Sequence, residues 1–118
     1  MRKSFNRETG RRAEDLAVEM LKKKGYKILE RNFSNRFGEI DIIAKEGNIF
    51  VFVEVKAKTG TGLGLPEEMV NKSKLQKVRN MGAFYMQDKK SPCRIDVVAV
   101  VLDRTGIPFR LTHYENVY

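Results

Sequence analysis

A chain of 118 residues is the size of one domain and can bury roughly two thirds of the surface its unfolded form exposes, so a single core needs no staples. Its 42% hydrophobic and 32% charged residues exclude a disordered chain, its lone cysteine (Cys93) excludes an intrachain disulfide, and no apolar run approaches the roughly 18 residues of a membrane span. The basic opening MRKSFNRETGRR leads into no apolar signal-peptide core, so a cytoplasmic location is expected, and 23 Lys plus Arg against 15 Asp plus Glu (net +8, pI near 9.7) favour a polyanionic partner through counterion release.

The first predicted helix spans about Arg7 to Lys24, with Ala13, Leu16, Ala17, Met20 and Leu21 spaced as one apolar stripe. Lys22, Lys23 and Lys24 suit the negative end of the helix dipole, and Gly25 is a fitting stop. Tyr26 to Phe33 reads as a strand at a sheet edge. Glu39–Lys45 and Ile49–Ala57 then read as the arms of a hairpin, with Gly47-Asn48 as its two-residue turn. Thr59 to Pro66 is a glycine-rich loop without the GK[ST] ending of a nucleotide-binding loop, and a short turn is expected at Pro66–Val70. A second helix is predicted from Lys72 to Gln87, with the stripe Leu75, Val78, Met81, Gly82 and Tyr85. Arg94 to Leu102 is apolar on both faces and reads as a buried strand, and Arg104-Thr105-Gly106 turns the chain into a last strand, Phe109 to Tyr114. The expected architecture is α/β: a mixed central sheet flanked by helices in the order αβββαββ, as one domain over residues 1–118.

The hairpin turn fixes a register in which paired residue numbers sum to about 95. Ile42 then faces Val53, Ile43 faces Phe52 and Ile40 faces Val55, each apolar against apolar. The same register sets Asp41 against Glu54 and Glu39 against Lys56. Two carboxylates so placed have Cβ atoms about 4.5–5.5 Å apart and repel unless a cation sits between them. Mg²⁺ (or Mn²⁺) suits that position, because it takes one or two carboxylates together with waters and phosphate oxygens. Lys56, two residues past Glu54, shares its strand face and brings an ammonium to the same point. The backbone carbonyl of Val55 is a further candidate oxygen ligand. A metal so held lowers the pKa of a water and stabilises charge on phosphorus, which is the chemistry of phosphodiester hydrolysis.

Each candidate has an ordinary alternative. Asp41, Glu54, Glu39 and Lys56 could be cross-strand ion pairs on a solvated face, but they interrupt two strongly apolar strands at matched positions. Glu14, at the border of the first helix's stripe, could reach the same metal directly or through water; most such glutamates are merely solvated. Lys74 could contact a phosphate or be a plain exposed lysine. Asp96, inside an apolar strand, is expected either to be structural, with a partner such as Arg94 or another basic residue, or to support the site from behind its ligands, and His113 and Cys93 are read as structural because neither has ligand-like spacing. Arg11, Arg12, Lys58, Lys72, Lys74 and Lys77 could bracket a phosphate backbone on either side of the metal, positioning nucleic acid without reading its sequence.

GEID at Gly38–Asp41, FVEVKAK at Phe52–Lys58, the loop through Gly64 and Pro66, Lys74, and RIDVVAV at Arg94–Val100, together with TGRRAEDLA and GYKILERN, resemble the YraN family of uncharacterised bacterial proteins over nearly the whole chain. That family is similar to archaeal Holliday junction resolvases and the restriction-endonuclease-like PD-(D/E)xK nucleases. The resemblance implies a Mg²⁺-dependent nuclease site in which Asp41, Glu54 and Lys56 fall on the signature, Glu14 on the helix glutamate of resolvase-like members and Lys74 on the basic position of the second helix. Ile40 stands where the signature's proline would be, a departure that resolvase-like members share.

The expected function is therefore metal-dependent endonucleolytic cleavage of DNA, favoured over RNA, on branched or distorted structures. A resolvase-like role would need two active sites and hence a homodimer; no membrane partner is expected. The alternatives are a non-catalytic nucleic-acid-binding module that retains the nuclease fold, and an adaptor using its basic face on an acidic protein.

Overall fold

The computed structural model describes the backbone of residues 2–60 and 71–118 and the side chains within them from Arg7 onward. The expected glycine-rich loop beyond Gly60 and the turn at Pro66–Val70 lie outside the described residues. The elements are α1 (Arg2–Lys23), β1 (Lys27–Asn35), β2 (Gly38–Glu46), β3 (Ile49–Thr59), α2 (Lys72–Tyr85), β4 (Cys93–Leu102) and β5 (Pro108–Tyr114).

Helix α1 begins five residues before the expected Arg7, since nothing in RKSFN breaks a helix. It closes with paired hydrogen bonds, Tyr26 N–H to Leu21 O and Gly25 N–H to Lys22 O, with Gly25 at a left-handed φ of 94°. That six-to-one and five-to-two pattern needs a residue tolerant of positive φ and leaves Lys24 just past the helix. Helix α2 is capped by Asn71, whose side chain accepts the Lys74 N–H, and ends at Tyr85, two residues short of the expected Gln87.

The five strands form one mixed sheet in the order β1-β2-β3-β4-β5. β1, β2 and β3 are successively antiparallel, β3 and β4 are parallel across the α2 connection, and β5 returns antiparallel to β4. β1 lies at an edge, as its mixed composition suggests, and runs two residues past Phe33 because Asn35 still pairs with Gly38. β3 likewise runs past Ala57, because its pairing with β4 continues to Thr59 and Leu102.

Alternation along β3 divides the core into two layers. Val51 and Val53 face α1, packing with Ala13, Ala17, Val18 and Leu21. Phe50 and Phe52 face the other way, against Val78 and Met81 of α2. Gly82 permits close helix–sheet contact there: a Cβ at that position would lie 2.8 Å from the Phe52 ring. The Gly38, Thr59, Leu102 and Pro108 ends of the strands, and the N-terminal ends of both helices, all lie at one end of the sheet.

The opposite end is fastened by a buried polar network. Asp96 has no solvent exposure and accepts from Arg94 Nε (3.0 Å), His113 Nε2 (2.7 Å) and the Asn116 N–H (2.9 Å). Lys24 Nζ lies 2.8 Å from His113 Nδ1; an ammonium can only donate, so Nδ1 accepts and Nε2 carries the proton given to Asp96. Arg94 also reaches Tyr26 Oη, Glu46 and Glu115. The structural role expected for Asp96 and His113 is the one this geometry supports; Cys93 is an exposed free thiol.

Burial alone would push the Asp96 carboxyl up, but hydrogen bonds from His113, Arg94 and Asn116 outweigh it and hold the carboxyl below its ordinary value. Its contribution to stability is therefore complete above the unfolded carboxylate range and lost as pH falls through the folded value. Asp96→Ala removes the fully buried partner of Arg94 and His113, leaving Arg94 only the exposed carboxylates of Glu46 and Glu115, and is expected to destabilise by about 3–5 kcal/mol, read as a lowered urea midpoint at pH 7. A midpoint within experimental error of the parent would overturn this reading.

Candidate functional site

The β2–β3 ladder follows the expected register from Glu46↔Ile49 through Ile42↔Val53 and stops there. The pairs expected beyond it, Asp41 with Glu54, Ile40 with Val55 and Glu39 with Lys56, do not form as backbone pairs. Instead the Val55 N–H donates to Asp41 Oδ2 at 2.8 Å. The aspartate side chain takes the place that the Ile40 carbonyl would have filled, and β2 parts from β3. On the other side of β2, Asn32, opposite Asp41, adopts a left-handed φ of 54° and pairing skips it, resuming at Phe33↔Ile40.

The two carboxyls nevertheless meet. Glu54 is 3% exposed, and its side chain is hydrogen-bonded to that of Asp41. Burial first, then this hydrogen bond and the Asp41 charge, push the Glu54 carboxyl up to about 8, against the opposing pull of Lys74 and Lys56. Lys74 Nζ stands 3.5 Å from Glu54 Oε2, an ion pair too long for a good hydrogen bond. Glu54 Oε2 is itself buried without a hydrogen-bond partner.

Glu14 reaches the same place from α1. Burial and the Asp41 charge raise its pKa, while a hydrogen bond from Asn32 and the Arg31 guanidinium, 3.8 Å away, pull it down. Glu39 is also raised, by burial and by Asp41, with Lys74 opposing. A cleft of about 540 Å³ gathers Glu14, Asp41, Glu54, Val55, Lys56, Lys58 and Lys74, with Thr9 and Gly10 of α1 on its wall. Gly10 lacks a side chain where the helix passes the opening.

The remaining basic candidates do not line this cleft. Arg11 lines an adjoining depression with Glu14, Arg31 and Asn32. Arg12 reaches the Gly106 carbonyl in the turn before β5. Lys72 and Lys77 are exposed on α2. Sequence reasoning overlooked Asn32 and Arg31, which hold Glu14; an asparagine inside a strand, tolerant of left-handed backbone, was the available signal.

Among the described residues no three His, Cys, Asp or Glu groups converge as a ready-made metal cage. Two carboxylates suffice for an ion that keeps several waters. In a strand, one residue's N–H and C=O point the same way, so the Val55 carbonyl faces the gap beside Asp41. The donor set of Asp41, Glu54 and that carbonyl, with an orphaned buried oxygen, fits Mg²⁺ or Mn²⁺.

The family described as Uncharacterised protein family UPF0102 matches residues 13–100, which contain Glu14, Asp41, Glu54, Lys56 and Lys74. The chain belongs to this family. A UPF0102 protein of Thermodesulfovibrio yellowstonii is 44% identical over 94% of this chain and 96% of its own length. One of Pelotomaculum thermopropionicum is 42% identical over 92% and 93%, and one of Caldicellulosiruptor saccharolyticus 45% over 82% and 85%. The family likeness drawn from the motifs at Gly38–Asp41, Phe52–Lys58 and Arg94–Val100 therefore holds. Among the described residues no helix is long and apolar enough to cross a membrane.

The raised Glu54 pKa has a consequence for stability. Between about pH 4.5 and 8 the folded chain holds a proton that the unfolded chain has lost, so stability falls as pH rises through that window. Glu54→Gln removes this loss. It is expected to raise stability by on the order of 3 kcal/mol at pH 8, with the gain vanishing toward pH 4.5. Denaturation midpoints at pH 5 and pH 8 check this, and an equal gain at both would show that titration is not the cause.

Proposed function

We propose that the chain is a metal-dependent endonuclease that binds DNA and hydrolyses phosphodiester bonds, on a restriction-endonuclease-like PD-(D/E)xK fold. The observation that carries the reading is the buried Glu54 carboxyl, bonded to Asp41 and left with an unpartnered oxygen, inside a cleft edged by lysines. A carboxyl pair in apolar strands costs stability. It is explained economically if the resting chain is complete only with a cation.

Asp41, Glu54 and the Val55 carbonyl would hold Mg²⁺ or Mn²⁺. When bound, the ion supplies the charge that acidifies a water and offsets the charge growing on the phosphate. Glu54 gives up its proton on taking that role. Asp41 stays anchored by the Val55 N–H, so its other oxygen keeps a fixed aim. Lys56, on the Glu54 face of β3, steadies the phosphate oxygens as negative charge develops. Glu14, its pKa raised by burial and the Asp41 charge, is placed to accept a proton from the attacking water. The bond formed is from water oxygen to phosphorus and the bond broken is from phosphorus to the departing sugar oxygen, which leaves with a proton. Lys58, Lys72, Lys74, Lys77, Arg11 and Arg12 contribute phosphate contacts that make binding salt-dependent.

A second reading has its own support. Lys74 and the proton on Glu54 already offset part of the buried charge, which a non-catalytic nucleic-acid-binding module could retain without metal. Calorimetric titration with Mn²⁺ separates the two: the enzyme reading requires a heat of binding that Asp41→Ala removes.

With Mg²⁺ or Mn²⁺, Asp41→Ala and Glu54→Ala are expected to abolish nicking of DNA while binding survives. Lys56→Ala is expected to slow it by about 10²–10³-fold. Supercoiled plasmid and labelled duplex, single-stranded and four-way substrates provide the assay. No cleavage of any of them by the parent chain, with either ion, would sink the nuclease reading.

A further inference from the structure

The tip of the β1–β2 hairpin carries a feature that the hydrolytic site does not use. Arg36 and Phe37 form a two-residue connection closed by the Asn35↔Gly38 pair. Phe37 is 61% exposed. Its N–H donates to Asn35 Oδ1 at 2.8 Å, and the Arg36 guanidinium lies over its ring, 4.9 Å from the centroid. The stem below is anchored by Phe33, whose ring meets Tyr85 of α2 edge-on at 5.4 Å. An apolar ring is thus held out into water on a rigid support.

The surroundings narrow what such a ring can meet. Its exposed sequence neighbours Ser34, Arg36 and Glu39 are polar, so within the described residues of this hairpin tip Phe37 is the exposed apolar side chain. The Arg36 guanidinium lies over one face of the ring. A cation beside an aromatic face matches the two parts of a nucleotide, phosphate and base. Phe37 is four residues before Asp41, so the backbone between them spans at most about 14 Å. That length corresponds to about four stacked nucleotides, or fewer when they are unstacked. Between the two lies Glu39, which is already hydrogen-bonded to Asp41.

We propose that the Arg36–Phe37 turn is a base-stacking site: Phe37 receives an unpaired nucleobase and Arg36 its phosphate, a few nucleotides from the Asp41–Glu54 cleft. This rests on the reading of the chain as nucleic-acid-binding and deepens it. It makes the preferred substrate one with an unpaired base beside the point of attack, because a base inside a duplex has no face free for Phe37.

The test is binding without divalent ions, so that hydrolysis plays no part. Fluorescence anisotropy in EDTA compares a blunt duplex with the same duplex carrying a six-nucleotide single-stranded overhang. The parent is expected to prefer the overhang. Phe37→Ala should weaken overhang binding by roughly 5- to 150-fold and leave blunt-duplex binding unchanged, whereas Phe37→Trp should retain it. The exposed ring adds little to the core, so circular dichroism should show both variants folded. Equal loss on both probes, no loss on either, or loss of self-association in place of overhang binding would overturn the proposal. A chain that shows this discrimination yet never cleaves DNA would keep the stacking site and lose the nuclease. A cleaving chain indifferent to Phe37→Ala would do the reverse.

Discussion

The structure turns on a single unfavourable contact, two carboxyl groups brought together in the apolar interior where β2 leaves β3. Asp41 substitutes its side chain for a missing backbone carbonyl and thereby binds the Val55 N–H. That substitution stops the ladder and opens the cleft. It also fixes Asp41 against Glu54, whose burial keeps it protonated far above the ordinary carboxylate range. The break in the sheet and the electrostatic tension are thus one event. An unbroken ladder would have closed the space that the cleft occupies.

A comparison inside the molecule shows that this tension is not a general cost of burying acids. Glu54 and Asp96 lie one residue apart in register across the parallel β3–β4 pair, where Val53 meets Asp96 and Glu54 meets Val97. Asp96 receives hydrogen bonds from a guanidinium, an imidazole and a backbone N–H, and its pKa is lowered. Glu54 has a second carboxyl for a neighbour and an orphaned oxygen, and its pKa is raised. One carboxylate is saturated by its own fold and fastens α1, β5 and the C-terminal residues together. The other is left incomplete by its fold, and incompleteness in a cleft is what distinguishes a site from a strut.

Much of this was legible in the sequence, for reasons tied to particular residues. Gly47-Asn48 set the hairpin register, and the alternation of Val51, Val53, Phe50 and Phe52 gave a sheet covered on both faces. Asp41 and Glu54 stood out because they interrupt that alternation. The point where the ladder ends was not legible. It coincides with Asn32 adopting a left-handed backbone and with a side chain outcompeting a carbonyl, and neither choice leaves a periodic mark. The holders of Glu14 were missed because Asn32 and Arg31 reach it only once β1 packs beside α1, which no spacing along either element marks. The Arg94–Asp96 partnership was readable from their spacing of two on one strand, whereas the contributions of His113, Lys24 and Tyr26 required the fold.

The distribution of charge adds a final constraint. Because β1 ends, β2 begins, β3 and β4 end and both helices begin at one end of the sheet, Arg11, Arg36, Lys56, Lys72, Lys74 and Arg104 collect there. On the proposed reading, their field would draw a phosphate chain toward that end and raise its local concentration. At the centre of the basic rim, however, Glu14, Glu39 and Asp41 present the opposite sign beside the protonated Glu54. A phosphate attracted by the rim is repelled at the last few ångströms unless positive charge stands between it and the carboxyls. Lys74 fills part of that place in the resting chain, but only by leaning on Glu54 rather than outward. Close approach of the backbone and neutralisation of the acid pair are therefore coupled by electrostatics alone. On the proposed reading, a small divalent ion would satisfy both at once by its charge and size.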